Sequence, residues 1–346
     1  MKRTLPMLFA FLMLTHNVVF SQSKPRLQGI DLFGSDRLNA RQIQSKFADQ
    51  IEKMVSAIYE NADYDAGMNL RQEVISEINR MGKFAFVELS SVLYSNGDVY
   101  VTVDLVDEAD RSARIQFSAP PEKEFADPDG LLALWEEYEN AAQALWRKGE
   151  LNFEKMRCPA LHCTYGFDHP ALKKYEQPFQ SKVPANKQAL IRILREDRNG
   201  QHRAYAAFLL AHTQDPVELT RVLLPSIPDP DGTVRNNVMR VLGEIAGKRK
   251  EVPIPIEMII KALNYPATTD RNKALYVLDG LADSPANREI ITERAGELLV
   301  RLLQLSQPNN HVFAYSILKK ISGQNYAERD YKSWGEWVEK AGGRKR

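Results

Sequence analysis

The chain has 346 residues, of which 44% are hydrophobic and 26% are charged, and its formal net charge is only +1. These values are ordinary for a soluble globular protein and leave room for two domains. Because there is no basic excess, the composition argues against a nucleic-acid partner and against electrostatic attachment to a membrane surface.

The N-terminus has the pattern of a secretory signal peptide. Lys2 and Arg3 give a basic start, residues 5–20 are mostly apolar, and Ser21 follows them. This pattern predicts a signal peptide over residues 1–21, cleaved after Ser21, and therefore a periplasmic or secreted protein. The alternative is an uncleaved N-terminal anchor. No later stretch reaches about 18 apolar residues, so the sequence predicts no membrane span in the mature chain.

Residues 26–117 predict a small α+β domain. Its elements are, in order, a strand at 30–33, helices at 39–60 and 69–80, and strands at 84–94 and 99–106. Apolar residues recur at helical spacing in the two helices and alternate in the last strand. Asn96 and Gly97 predict a tight turn between the last two strands, and Gly82 predicts a left-handed cap on the second helix.

Three stretches of this domain resemble the POTRA domains (polypeptide-transport-associated modules) of cell-envelope proteins. They read I-D-L-F-G-S from Ile30, I-N-R-M-G-K-F from Ile78 and V-Y-V-T-V-D-L-V-D-E from Val99. The resemblance implies a β-α-α-β-β domain and a role in the cell envelope. The first helix is longer than is usual in that family and a single copy is present, so an unrelated α+β domain with the same element order is the alternative.

Two segments connect this domain to the rest of the chain. Residues 118–130 are rich in proline and acidic residues and predict a linker. Residues 131–185 predict a helical junction, whose first helix carries aromatic residues at helical spacing.

The junction contains both cysteines of the chain. In an exported protein, Cys158 and Cys163 most simply form a disulfide bond. The alternatives are two free thiols, or a zinc site in which Cys158, Cys163 and His169 are ligands and His162 or Asp168 is a fourth.

Residues 186–346 predict a series of helix pairs that ends in a C-terminal cap. Leucines at equivalent positions lie 32, 36 and 40 residues apart, and another predicted helix precedes each one: Leu210, Leu242, Leu278 and Leu318. Because a single helix pair cannot bury its apolar face alone, such a period predicts a solenoid of stacked pairs. Trp334 and Trp337 predict the cap, with an exposed aromatic patch as the alternative.

The helix pairs resemble HEAT-type repeats. The similarity is carried by Asp231, Val234 and Arg235 at one helix start, and more loosely by Asp270 and Arg271 at the next. It implies an all-α solenoid and is silent about activity.

Polar side chains recur at these helix starts and are the candidate binding residues. As a recognition strip on the concave face, the sequence favours Arg235, Asn236, Asn237, Arg240, Arg271, Asn272 and His311. The alternative is structural, because arginines at such positions can tie neighbouring repeats together and asparagines can cap helices.

No catalytic set is evident. The chain contains no G-x-S-x-G, no H-E-x-x-H and no glycine-rich phosphate loop. The sequence therefore predicts a non-enzymatic interaction scaffold without a cofactor, which binds a protein partner in the cell envelope. The alternatives are a metal-dependent enzyme centred on residues 158–169 and a structural envelope protein.

Overall fold

The computed structural model describes residues 24–94, 96–151 and 156–342. It is mostly helical, with a small three-stranded sheet in the N-terminal region. The predicted signal peptide at residues 1–21 lies outside the described residues.

The N-terminal region has the predicted order of elements. These are β1 (Arg26–Phe33), α1 (Ala40–Tyr59), α2 (Tyr64–Met81), β2 (Phe84–Leu93) and β3 (Asp98–Asp107). In the sheet, β3 lies between the other two strands, parallel to β1 and antiparallel to β2. Two local predictions were wrong: α2 begins five residues before residue 69, because Asp63 caps it at the amide of Ala66, and Gly82 has an extended backbone (φ −160°).

Helix α1 begins at a capping box. The Asn39 side chain accepts a hydrogen bond from the backbone amide of Gln42, and the Gln42 side chain accepts one from the amide of Asn39. One face of the helix buries Ile43, Phe47 and Ile51 completely. This face packs with α2 against one side of the sheet.

The central strand is buried on both sides. Val101, Val103 and Leu105 alternate along β3 and belong to the core formed with α1 and α2. Thr102 and Asp104 point to the opposite side, because successive side chains of a strand face opposite ways. Both are nevertheless fully buried. A polar face of the sheet is therefore covered, and the helical region covers it.

The helical region follows a short helix, α3 (Arg111–Arg114). Its helices are α4 (Leu131–Arg147), α5 (Pro170–Ala185), α6 (Lys187–Glu196), α7 (Gly200–Leu209), α8 (Pro216–Leu223), α9 (Gly232–Lys248), α10 (Ile256–Leu263), α11 (Thr268–Leu281), α12 (Pro285–Leu303), α13 (Pro308–Ser322) and α14 (Tyr331–Gly342). Helices α7, α9, α11 and α13 pack side by side in that order, and α6, α8, α10 and α12 each pack against the helix that follows. One continuous apolar core runs from α4 to α14.

The segment between the two regions lies against the helical region along its length. Its contacts are Arg114 Nε to the carbonyl of Asn264 (3.2 Å), the Phe117 ring to the Arg235 guanidinium (3.9 Å), the Ser118 amide to the carbonyl of Pro228 (2.7 Å) and Lys123 Nζ to Glu196 (2.5 Å). The segment thus runs back from the α10–α11 loop to the end of α6. The sheet consequently sits over the later helices, α11 and α13.

Candidate functional site

Three buried arginines, which we call the arginine ladder, connect the starts of α7, α9 and α11 to acidic partners. The pairs are Arg203–Asp229 (2.9 and 2.7 Å), Arg235–Asp270 (2.8 and 2.9 Å) and Arg271–Asp104 (2.5 Å). Each arginine also donates to a carbonyl of the loop before its own helix. Both partners of every pair are almost completely buried, so removing one partner would leave an uncompensated buried charge.

The third pair joins the two regions. Asp104 of β3 accepts hydrogen bonds from the backbone amide of Thr268 (2.8 Å), from its hydroxyl (2.6 Å) and from Arg271. The start of α13 has no acidic residue, since residues 306–310 read S-Q-P-N-N. The sheet therefore supplies the acceptor that a further helix pair would otherwise have supplied.

A second aspartate of the sheet repeats this arrangement at α13. Asp31 of β1 accepts from the amide of Ser306 (2.9 Å), from its hydroxyl (2.7 Å) and from the amide of Gln307 (3.0 Å). The Gln307 side chain donates to the Thr102 hydroxyl at 3.2 Å. These contacts explain how this face of the sheet can bury Asp31 and Asp104: both carboxylates meet donors of the helical region.

Five of the seven predicted binding residues do not form an open strip. Arg235, Asn236, Asn237, Arg271 and Asn272 are brought together at the helix starts, but each is at most 8% exposed. Their side chains bond within the chain, for example Asn237 Nδ2 to the carbonyl of Ala204 (3.0 Å) and Asn272 Nδ2 to Gln307 Oε1 (3.0 Å). The sequence predicts an exposed strip because it does not reveal that the sheet and the adjacent loops cover these positions.

The other two predicted residues lie elsewhere. His311 of α13 pairs through Nδ1 with Glu328 at 2.5 Å and is half-buried near the C-terminal cap. Arg240 lies farther along α9 than the ladder, with its guanidinium 5.5 Å from the ring centroid of Phe208 on α7. Neither residue is therefore part of the buried row at the helix starts.

Arg240 belongs to a group of half-buried side chains that we call the inner groove. Its members are Glu139 of α4, Arg240 of α9, Lys273 and Tyr276 of α11, and Phe313 of α13. The Tyr276 ring packs on Gly243 of α9, where a Cβ atom would come within 2.2 Å of it, and lies 5.9 Å from the Phe313 ring. Lys273 stands one turn before Tyr276, on the same side of α11, and so lies beside Arg240.

The charges of the inner groove are strongly perturbed. Burial, and next the neighbouring Arg240, lowers the pKa of Lys273 to about 7. Burial raises the pKa of Glu139 to about 7, although Arg240 opposes the rise. Within the described residues, the Lys273 ammonium makes no hydrogen bond and no ion pair. Titratable groups with strongly perturbed pKa values cluster at functional sites, which makes Lys273 and its neighbours the candidate site.

One acidic residue near Arg240 is already engaged. Glu244 accepts a hydrogen bond from the Tyr276 hydroxyl at 2.7 Å and forms an ion pair with Lys248 at 2.6 Å. Lys248 is 69% exposed and points out of the groove. Arg240 therefore has two carboxyl groups near it, Glu139 and Glu244, and Glu244 is the one that is bonded to Tyr276 and paired with Lys248.

A disulfide-bonded loop forms one wall of the site. Cys158 and Cys163 are joined, with their Cα atoms 5.5 Å apart, so the predicted disulfide is confirmed. The loop carries His162, whose ring stacks on Phe208 at 5.1 Å. Burial holds the pKa of His162 well below its usual value, so this ring is neutral at physiological pH.

Replacing both cysteines by serine should destabilise the protein by about 2 kcal/mol, because the bond closes a short loop and removes little chain entropy. Urea unfolding of the oxidised protein, compared with the double variant, measures this difference. A loss above about 4 kcal/mol would mean that the loop supports the whole core of α4 to α7 and not merely the wall of the groove.

The alternative zinc site is not formed. Both sulfur atoms lie in the disulfide and cannot act as thiolate ligands. His169 instead caps α5 by accepting from the amide of Ala171 (3.2 Å), and Asp168 accepts from the amide of Arg157 (2.5 Å). Across the ranges 24–94, 96–151 and 156–342, no three His, Cys, Asp or Glu side chains are grouped to hold a metal ion.

The part of the chain that the structure describes also contains no helix that is both long and apolar enough to cross a membrane. The disulfide bond is compatible with an exported protein, because such bonds persist in oxidising compartments.

Comparison with known proteins identifies no family. No protein-family model and no curated protein matches the chain. An engineered protein of known crystal structure is similar over 50% of this chain and 79% of its own, with 19% identity and a TM-score of 0.37. A similarity at that score does not define a fold.

Sequence reasoning found Arg240 but missed Lys273, Tyr276 and Glu139. One signal was present: the period that relates the leucines also relates Phe208, Arg240 and Tyr276, which therefore occupy equivalent helix positions. Nothing local marks Glu139, which reaches the groove only through the packing of α4 on α7.

Proposed function

We propose that the chain is an exported interaction scaffold of the cell envelope. In this proposal, α6 to α13 form a HEAT-like solenoid, and the sheet with α1 and α2 is a POTRA-like module that is fixed to the solenoid's later repeats. The packing of α7, α9, α11 and α13 in series supports the first statement. The β-α-α-β-β order and the mixed sheet support the second.

The partner binds in the inner groove. The observation that carries this proposal is Lys273, a half-buried ammonium without an acidic partner among the described residues, placed beside Arg240 and next to two aromatic rings. An interface centre typically combines aromatic side chains and arginine in a desolvated setting.

Photo-crosslinking in native cells tests the proposal. A benzophenone amino acid at Phe313 places the probe in the inner groove, and the same amino acid at Lys261, an exposed residue of α10, is the matched control. We expect a discrete crosslinked product from the Phe313 position, and we expect it to disappear when Lys273→Glu is added.

Equal products from both positions, or none from Phe313, would contradict binding in the groove. Circular dichroism and thermal unfolding of the purified probe-bearing chains establish that each has folded before its crosslinks are compared.

A further inference from the structure

We propose that the joint between the sheet and the helical region is a pH-sensitive contact, which tightens when the Glu88 carboxyl is protonated and loosens when it ionises. The joint consists of the hydrogen bonds that Asp31 and Asp104 accept from the starts of α11 and α13. The inference does not depend on the proposed function. It follows from the position of Glu88 in the sheet, from the groups around its carboxyl and from the unpaired hydroxyls beside it.

Glu88 of β2 stands directly opposite Asp104 of β3. The two residues are paired in the antiparallel register, so their side chains leave the same face of the sheet, with Cβ atoms about 5 Å apart. The helical region covers this face, and the Glu88 side chain is only 19% exposed. Like charges that face each other across two strands destabilise a sheet, and partial removal from water strengthens their repulsion.

The donors of the joint serve Asp104 and not Glu88. Asp104 accepts from the amide and the hydroxyl of Thr268 and from Arg271. Glu88 forms an ion pair with Arg71 of α2 at 3.7 Å, which is too long for a hydrogen bond, and Arg71 Nε donates instead to a backbone carbonyl of β2. Within the described residues, no hydrogen bond reaches the Glu88 carboxyl.

Burial and the neighbouring carboxylates favour the neutral form of Glu88. The charged side chains around it are Asp104 of β3, Arg71 of α2, and Asp270 and Arg271 of α11. Burial, and next Asp104, raises the pKa of Glu88 from 4.5 to about 7, although the two arginines oppose the rise. A carboxyl that holds its proton more tightly in the closed joint than in water opposes closure when it ionises. Closure is therefore most favourable below pH 4.5, becomes less favourable between pH 4.5 and 7, and changes no further above pH 7.

Two hydroxyl groups beside these carboxylates have no partner. Ser90 follows Glu88 on the same face of β2, opposite Thr102, and Thr269 follows Thr268 at the start of α11. In the part of the chain that the structure describes, the hydroxyl oxygens of Ser90 and Thr269 are buried and make no hydrogen bond. Both regain hydrogen bonds with water when the joint opens, which offsets part of the free energy that opening requires. One ionisation can therefore shift the balance between the closed and the open joint.

Amide hydrogen exchange, followed by NMR on the deuterated full-length chain, tests the inference. The backbone amides of Thr268, Ser306 and Gln307 donate to the two aspartates of the sheet, so their exchange reports opening of the joint. After correction for the intrinsic pH dependence of exchange, we expect their protection factors to fall by about tenfold or more between pH 5 and pH 8.

Glu88→Gln is the variant that assigns the effect, because glutamine has the shape of the protonated side chain and does not ionise. We expect its protection factors to agree within about twofold at the two pH values, and to exceed those of the parent chain by about tenfold at pH 8. Glu73→Gln is the matched control. Glu73 is an exposed residue of α2, and its replacement should leave the pH dependence of the parent chain unchanged.

Constant protection factors in the parent chain between pH 5 and pH 8 would overturn the inference, and this measurement requires no variant. An equal fall in the parent chain and in Glu88→Gln would also overturn it, because a group other than Glu88 would then be responsible. A loss of the pH dependence in Glu73→Gln would contradict it in the same way.

Discussion

Replacing Arg271 by methionine is expected to lower the free energy of unfolding by about 3–5 kcal/mol, the usual loss when one partner of a buried ion pair is removed. Arg271 is fully buried and bonds to Asp104, to the Thr268 hydroxyl and to the carbonyl of Pro266. The variant leaves the Asp104 carboxylate in the interior with two neutral donors and no hydrogen-bonded cation. Urea unfolding at pH 7 measures the change.

A double variant separates the buried charge from the lost packing. Asp104→Leu combined with Arg271→Met replaces the pair by apolar groups and should recover most of the loss, as buried pairs exchanged for apolar residues often do. The control is Arg294→Met, which removes an exposed arginine paired with Glu257 and should change stability by less than about 0.5 kcal/mol. If the double variant were no more stable than Arg271→Met, the contact between the two regions would depend on shape and not on charge.

The second large effect is an increase in the free energy of unfolding. Lys273→Met is expected to raise the free energy of unfolding at pH 6 by about 2–3 kcal/mol, because it removes an unpaired ammonium whose pKa falls from 10.5 to about 7 on folding. A pKa that is lower in the folded state means that protonation opposes folding. The penalty is absent above pH 10.5, grows as the pH falls from 10.5 to 7, and is constant below pH 7.

The gain from Lys273→Met should therefore be largest at pH 6 and should shrink towards pH 10. Unfolding by urea at several pH values between 6 and 10 measures it, with Lys248→Met as a control whose effect should not vary with pH in this way. A gain that stays constant over this range would indicate that methionine merely packs better.

The order of elements in the N-terminal region could be predicted because its signals are local. Alternation in β3, helical spacing in α1 and the Asn96–Gly97 turn each depend on neighbouring residues. The error at α2 is also local: the apolar spacing that starts near residue 69 leaves Tyr64 and Asp65 outside the predicted helix, although Asp63 accepts from the amide of Ala66 and so caps the helix earlier. The disulfide bond could be predicted from the proximity of the cysteines and the compartment.

The burial of the ladder could not be predicted in the same way. The sequence offered structural ties as the alternative for Arg235 and Arg271, and the structure shows hydrogen-bonded pairs at both. The sequence alone could not reveal that Asp104 is the acceptor of the third pair. Asp104 alternates with apolar residues in β3, a pattern that normally places a polar residue in solvent, and its partner lies 167 residues away.

The reversed course of residues 115–127 along the helical region has a consequence for the order in which the molecule forms. The polar face of the sheet is synthesised first, yet its partners at Thr268, Arg271 and Ser306 come last. Until α11 and the start of α13 exist, Asp31 and Asp104 have nothing to bond with except water. Joining the two regions is thus a contact of very long sequence separation, the kind that forms late and slowly. A chain interrupted before α11 would keep the contacts of Arg114, Phe117 and Ser118 with the earlier helices while lacking the donors for Asp31 and Asp104.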